Sequence, residues 1–450
     1  NGRRYWINYS RGSKGYGINN TLGYDNFLVK NISIGKTAAL GADAASYAIA
    51  VDDGLTASYN ITIEDVNIRM PNADNGEYSY AMSFYQANDI TINRNDIEML
   101  AGVWGSATLY FYQGENFTIN NTAITTDLSD DYDRAISIYY TEDVIFRNTN
   151  ITTHRGNPFR FHGTGMNTYD IDTSNKADGY PIYFNTSLQD MTVLEDANYS
   201  KTYGTIVCAS CNNVTYENLT LGSDGLMLVD TEDSQVRDVV INAENGSALI
   251  LWSTANENLL ENITLDVTTD DVSTLNIWNA DNNNFSDITI STSYWFLMNI
   301  FEAEGNTFST YNFSNLIGFV QIWNSNRTSF ENGILSTDHR GFYLIGPQTD
   351  VTVYNSTLHT TEEQIYFHST SDTSQITLYN VTLNKTMDIE FSGSNGQVYT
   401  YEYIDVNITN TTGSMLAGAN VTANDVLSAQ RNTSLSSGSE LTRLTLPTAY

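Results

Sequence analysis

Hydrophobic residues recur along this chain as short apolar-x-apolar pairs, separated by polar stretches rich in Asn, Ser, Thr and Gly. The pairs are Ala48/Ala50, Met82/Phe84, Leu109/Phe111, Ile136/Ile138, Phe159/Phe161, Ile182/Phe184, Ile206/Cys208, Met227/Val229, Ile250/Trp252, Leu275/Ile277, Met298/Ile300, Val320/Ile322, Tyr343/Ile345, Ile365/Phe367 and Ile389/Phe391. They follow one another every 21 to 27 residues, with one longer first interval of 34. About ten residues after most of them comes a second pattern, apolar-x-apolar-x-Asn/Asp, as in Ile61 to Asp65, Phe117 to Asn121 and Ile376 to Asn380. Residues two apart share one face of a strand, and the β-branched and aromatic content suits strands rather than helices. A coil of this length with two or three short strands cannot bury its apolar face alone, whereas stacked copies bury a continuous core. The pattern predicts an all-β chain wound as one parallel β-solenoid of about 15 coils, roughly 70 Å long at the strand-to-strand spacing.

Asn-ended strand repeats of this length resemble the right-handed parallel β-helix, or pectin-lyase-like, superfamily, and residues 26–400 carry the pattern. That resemblance implies a β-helix, in a superfamily of polysaccharide lyases and hydrolases, adhesins, tailspikes and archaeal surface proteins. Fold alone does not choose among them. Residues 1–25 open with the strand-like Tyr5 to Tyr9 and are expected to be a terminal strand, a cap or a docking segment. Residues 401–450 read as strand, turn and strand, which resembles the start of a small immunoglobulin-like or carboxypeptidase-regulatory-like β-sandwich. Fifty residues are too few for a full sandwich of about 100, so this short module or docking segment is expected to be either abbreviated or completed by something else.

The chain has 450 residues, with 20 Lys and Arg against 52 Asp and Glu, a formal charge of −32. Such a field repels nucleic acid, anionic lipid and polyanionic polymers, so no nucleic-acid partner is expected. No apolar run reaches the length of a membrane span, so no direct membrane insertion is expected either. Only 16% of residues are charged, so the flanks are polar but mostly neutral. The start at Asn1, without Met or a leader, reads as a processed or excised segment of an extracellular, cell-surface protein.

Cys208 and Cys211 are the two cysteines. With no second Cys/His pair to complete a metal site and no βαβ context for redox work, a local disulfide is expected. Asn-x-Ser/Thr, the acceptor motif for N-glycans in exported chains, occurs twenty-three times. At Asn31, Asn218, Asn262, Asn355 and Asn380 the repeat itself accounts for the motif. Asn60, Asn116, Asn185, Asn213, Asn245, Asn284, Asn326, Asn384 and Asn420 are the expected glycan carriers. Tyr85, Tyr112 and Tyr139 follow the apolar pairs of consecutive coils, and Trp278, Phe301 and Trp323 do so further on. They are expected to form outward aromatic ladders, covered by the chain's own loops, by another subunit, or by a glycan. The sheet around residues 226–229 and 249–252 is apolar on both faces, so something should cover it.

Catalytic residues are not assigned, and the chain is read as non-enzymatic. The basic knot His154, Arg155, Arg160 and His162 is flanked by Asp131, Asp133, Asp170 and Asp172, where a carboxylate-pair hydrolase is conceivable. No cofactor is expected beyond Ca²⁺, for which Asp131, Asp133, Asp270 and Asp271 are weak candidates without EF-hand spacing. A stack of coils ends in open strand edges, which proteins cap or use. The expected function is therefore a structural subunit, self-associating head to tail into a glycosylated filament, sheath or S-layer of archaeal surface type. The alternative is a glycan-binding adhesin or a polysaccharide-active β-helix enzyme.

Overall fold

The computed structural model describes the chain except residues 1–4, 10–14, 21, 23, 37–45, 52–56, 71–78, 101–105, 128–133, 155–156, 164, 195–202, 224, 244–245, 269–272, 293–295, 316, 369–372, 384–388, 393–395, 407–416, 425–429, 438–441 and 448–450. Of residues 5–9 and of those beyond Tyr401, only the backbone is described. The protein is a parallel β-solenoid, and the one helical turn among the described residues is the 3₁₀ turn Met166–Thr168. Strands pair in parallel with the strand one coil away: Leu109 lies beside Met82 on one side and Ile136 on the other. Residues 5–20 supply the strands Tyr5–Tyr9 and Gly15–Asn20, which pair in parallel with the next coil and so form the first turn of the stack.

The expected single column is in fact two. Stacking proceeds regularly to Lys176–Ala177, which pairs antiparallel with Tyr180–Thr186. The residues between, Asp178 and Gly179, both have positive φ, 49° and 86°. Two left-handed residues in a row are what a tight type I′ hairpin needs, and Asp-Gly is a favoured sequence for it. After this reversal parallel stacking resumes from Tyr180–Thr186 through Ile389–Ser392. One 17-stranded sheet therefore runs through both columns and changes strand direction at the hairpin.

The phase of five predicted pairs is corrected as well. Tyr183, not Ile182, lies beside Ile206, and Phe184 lies beside Val207. A one-residue slip exchanges the two faces of a strand, so Ile182 and Phe184 face the first column. Leu226, Leu228, Leu249 and Leu251 belong to the second column's core, while Met227, Val229, Ile250 and Trp252 belong to the first column's cluster. Likewise Ile49 and Val51 take the inward register with Met82 and Phe84 in place of Ala48 and Ala50, and Phe342 and Leu344 do so in place of Tyr343 and Ile345.

The two-faced apolar sheet is thus covered by the chain itself. The outward face of the second column's early coils packs on the last coil of the first, with Phe184 5.4 Å from Phe161 and 6.1 Å from Tyr169 between ring centroids. Asn157 and Ser247 clasp across the junction: Asn157 Nδ2 donates to Ser247 O and Ser247 N to Asn157 Oδ1, both at 3.2 Å. The buried apolar area draws the columns together at about 25 cal/mol per Å².

Coil corners explain the recurring Asn and Asp. Asn218, Asp238, Asn262, Asp287, Asn332, Asn355 and Asn380 hold φ between 44° and 56° at the coil corners, with Thr310 at 56° taking the position between Asp287 and Asn332. Asn and Asp accept this left-handed conformation more readily than other non-glycine residues. A different, inward row carries a buried amide ladder. Asn258 Nδ2 donates to Thr231 O at 2.8 Å, and Asn283 Nδ2 to Ala255 O at 2.9 Å. Asn306 Nδ2 continues the ladder by donating to Ala280 O at 2.9 Å. At the far end, Gln397–Val406 pairs in parallel with the preceding coil as far as Tyr401 and then antiparallel with Thr442–Pro447. Ala417–Asn424 and Gln430–Ser437 form a separate antiparallel pair.

Candidate functional site

Outward aromatic residues form a ladder on each column. On the first column Tyr85 stacks on Tyr112 at 4.5 Å, Tyr112 lies 6.3 Å from Tyr139, and Tyr139 5.4 Å from His162. On the second, Trp252, Trp278, Phe301 and Trp323 succeed one another at 4.6, 4.4 and 4.9 Å. Each follows from the parallel register, which sets the same outward position of consecutive coils about 4.8 Å apart. These are the two ladders expected from the sequence, and all six named residues are half-buried.

Arg160 joins the ladders. Its guanidinium lies 5.4 Å from the Tyr139 ring, 5.1 Å from Trp252 and 5.5 Å from Trp278, within cation–π range of all three. A further tyrosine run, Tyr16, Tyr47, Tyr80 and Tyr110, feeds into Tyr139 with steps of 5.0, 5.6, 4.6 and 5.6 Å. With Arg160 bridging Tyr139 to Trp252, the rings form one track from Tyr16 to Trp323. Beside the tryptophans, two residues earlier on each strand and so on the same face, lie Asn276, Asn299 and Gln321.

Burial sets the electrostatics of the track. Tyr47 is pushed up to about 12, first by burial and then by Tyr16. Tyr110 is raised too, chiefly by burial. His162 is lowered by burial and then by Arg160, against an opposite pull from Asp230, and its Nε2 meets Tyr140 Oη at 2.9 Å. Burial thus holds Tyr47 and Tyr110 the more firmly as neutral phenols.

Arg160 and His162 belong to the track, whereas Asp170 and Asp172 are both paired with Arg147. Arg155, Asp131, Asp133, Asp270 and Asp271 lie outside the described residues, and those described contain no group of acidic, His or Cys side chains able to hold a metal. Cys208 and Cys211 are joined by a disulfide inside the second column. A shallow polar recess of 470 Å³, lined by Glu217, Arg237, Asp238, Glu261, Asn262 and Asp287, lies elsewhere, on the corner row of the second column.

Asn60, Asn116 and Asn213 sit on exposed positive-φ corners, where each Nδ2 donates to Asn26, Asp89 and Asp190 of the coil below. They share the ladder geometry that sequence assigned only to Asn31, Asn218, Asn262, Asn355 and Asn380. Asn284 is exposed and Asn326 half-buried. Asn185 is placed differently: it pairs in register with the buried Cys208, and its Nδ2 donates to the buried Tyr216 Oη at 3.3 Å. That inward position disfavours it as a glycan carrier. Asn245 and Asn384 lie outside the described residues, and only the backbone of Asn420 is described.

Sequence reasoning missed the role of Arg160, whose neighbours Trp252 and Trp278 come from a column that reversal alone brings near. It also missed Trp252 as an outward ring, because the pair Ile250/Trp252 was phased inward. Among the described residues, no helix is long and apolar enough to cross a membrane.

No protein-family model matches the chain, and no curated protein matches it. Among solved structures it is similar to a tailspike of Pseudomonas phage phi297, at 10% identity over 68% of this chain and 54% of that one, with a TM-score of 0.29. This chain thus spans about half the length of that tailspike. It is also similar to the A-module of a mannuronan C-5 epimerase from Azotobacter vinelandii, at 12% identity over 81% and 90% of the two chains, TM-score 0.21. A surface adhesin of Streptococcus pneumoniae is matched at 10% identity over 91% of each chain, TM-score 0.18.

Proposed function

We propose that the protein is an extracellular β-solenoid that binds glycan chains along its aromatic track. The observation that carries this is the path of rings along both columns, mostly half-buried with Tyr80 and Trp252 buried, joined at its middle by Arg160. Flat aromatic faces receive the apolar faces of sugar rings, and stacking them at coil spacing repeats the same contact along a chain. The half-buried amide of Gln321, beside Trp323, supplies a polar contact that such a ligand also needs. The charge of −32 favours a neutral glycan over an acidic one. The disulfide and the dense sequons on exposed corners favour an exported, glycosylated chain. Binding without turnover is the reading preferred here, because Asp170 and Asp172 are engaged by Arg147. A glycan array followed by calorimetric titration tests it: Trp278→Ala should weaken binding of the best glycan by about tenfold or more. Equal affinity in that variant would overturn the reading.

Head-to-tail assembly into a filament or surface layer is a second reading, supported by one feature of the far end. Phe391 continues the inward row and stacks flat on Phe367 at 5.0 Å, yet it is 46% exposed. An apolar core position left open at the last coil suits contact with a second copy. Negative-stain microscopy of native material should then show polymers, and deleting residues 401–450 should abolish them. Discrete particles in both samples would remove this reading.

A further inference from the structure

A ring inside a ladder spends both faces on its neighbours, and a ring at the end keeps one. Trp278 lies between Trp252 at 4.6 Å and Phe301 at 4.4 Å, and Tyr112 between Tyr85 at 4.5 Å and Tyr139 at 6.3 Å. Trp323 differs from both. Among the described residues its one ring contact is Phe301, at 4.9 Å and edge to face. The angle between ring planes opens from 31° through 44° to 73° along Trp252, Trp278, Phe301 and Trp323. Whichever of the last two rings offers its edge, at least one indole face of Trp323 has no ring upon it. The next position of the row, in register with Trp323, is the aliphatic Ile345. Trp323 is half-buried, so this end of the ladder reaches solvent.

Three polar groups accompany that indole. Gln321 lies two residues earlier on the same strand face, Tyr343 is its register partner on the next coil, and Nε1 belongs to Trp323 itself. Gln321 and Tyr343 are half-buried as well. Among the described residues none of the three groups has a hydrogen-bond partner, and none is sealed from solvent. The amide and the phenol each donate and accept, and the indole N–H donates. A metal ion would find no carboxylate among these groups. A ligand carboxylate or sulfate would compete with Glu363 for Arg340, whose guanidinium lies 5.7 Å from the Tyr343 ring, in a chain of charge −32. An uncharged pyranose satisfies both parts of the site. The C–H groups of one ring face pack on the indole, and the hydroxyls at the rim exchange hydrogen bonds with amide and phenol.

We propose that Trp323 is the platform on which one sugar ring of the glycan stacks, and that the sugar is an uncharged pyranose whose hydroxyls meet Gln321 and Tyr343. The rings inside the ladder border the rest of the glycan with their edges. The proposal rests on the glycan-binding reading above and adds to it the ring that holds a sugar face, the class of sugar and the residues that select it.

The test is calorimetric titration of the full chain with short neutral oligosaccharides of glucose, mannose and N-acetylglucosamine, and with oligogalacturonate and choline as charged controls. Wild type, Trp323→Ala, Gln321→Leu and Trp278→Ala are compared, with the unfolding midpoint and the sedimentation of each. The expected result is binding of a neutral sugar, weakened about tenfold or more by Trp323→Ala and about fivefold by Gln321→Leu. Gln321→Leu is a change at a half-buried position and reads the same site if the alanine variant does not fold. If Trp278→Ala weakens binding while Trp323→Ala or Gln321→Leu binds as wild type, the platform is overturned and the track survives. Tighter binding of oligogalacturonate or choline than of every neutral sugar overturns the platform too, as does a wild-type dimer that Trp323→Ala dissociates. If no oligosaccharide binds the wild type, the reading of the track falls and takes the platform with it.

Discussion

Both columns carry surface ion pairs, Arg237 with Glu261 and Arg340 with Glu363 on the second among them. Both also carry buried amides, Asn95 and Asn175 on the first. What sets the second apart is a run of three such amides on consecutive coils. Along the first, Arg94 reaches Glu64 and Asp65, Arg69 reaches Asp96 and Glu98, and Arg147 reaches Asp170 and Asp172, all near the surface. Along the second, Asn258, Asn283 and Asn306 run inside the coil, each donating to a backbone carbonyl of a lower coil. Exposed ion pairs trade one hydrated state for another and contribute little, whereas a buried amide ladder carries the full cost of being broken. The front faces differ too. Tyrosines face outward on the first column, while the second begins with an apolar patch that only the first column covers. One coil design thus serves as a wettable surface in one half and as a docking face in the other.

The largest effect should come from the shared face. Ile250→Asp places a charge in the junction with no partner, and the loss should be about 4 kcal/mol or more. Chemical denaturation should show this, and limited proteolysis should then cut between the columns near the Asp178 hairpin. A change below about 1 kcal/mol would mean that the columns do not depend on each other. Next in size is the contrast between the buried amide run and the surface ion pairs. Asn283→Ala strips partners from Asn258 N, Asn258 Nδ2 and Ala255 O, and should cost about 2–3 kcal/mol. Arg147→Ala on the first column should cost less than about 1 kcal/mol. Equal losses would erase that contrast.

The smallest expected effect is on pH dependence at the junction. His162 has its native pKa lowered from 6.5 by burial and by Arg160. The unfolded chain therefore binds this proton first, and the stability that neutral His162 contributes is complete above about 6.5 and is lost as pH falls from there through the lowered native value. Tyr139, Tyr140, Arg160 and Asp230 are the ionisable groups around it. His162→Gln should flatten the decline in unfolding midpoint just below pH 6.5, and an unchanged slope would exclude His162 as its source.

Much of the fold could be read from the chain because a solenoid repeats its own signature. Met82/Phe84, Leu109/Phe111, Leu275/Ile277 and Met298/Ile300 are inward as their spacing requires. The five misphased pairs failed for one reason: alternation marks a face only when the other face is polar. Leu226 to Val229 and Leu249 to Trp252 are apolar throughout, so periodicity could not say which residues look in. The reversal itself was written as Asp178-Gly179, a hairpin dipeptide that the dominant repeat overshadowed. Corner asparagines were legible as a row, although the inward ladder of Asn258, Asn283 and Asn306 was not, since nothing local separates a buried amide from an exposed one.

The sequence by itself determined the parallel coil, the strand positions, the left-handed corners and the outward rings, because each follows from interactions within a coil or between neighbouring coils. Only the tertiary structure decided that the coils form two columns, that Met227, Ile250 and Trp252 face the first of them, and that Arg160 meets Trp252 and Trp278. These contacts join residues about ninety positions apart across a reversed sheet, and no periodic pattern encodes a meeting between two separately repeating stretches.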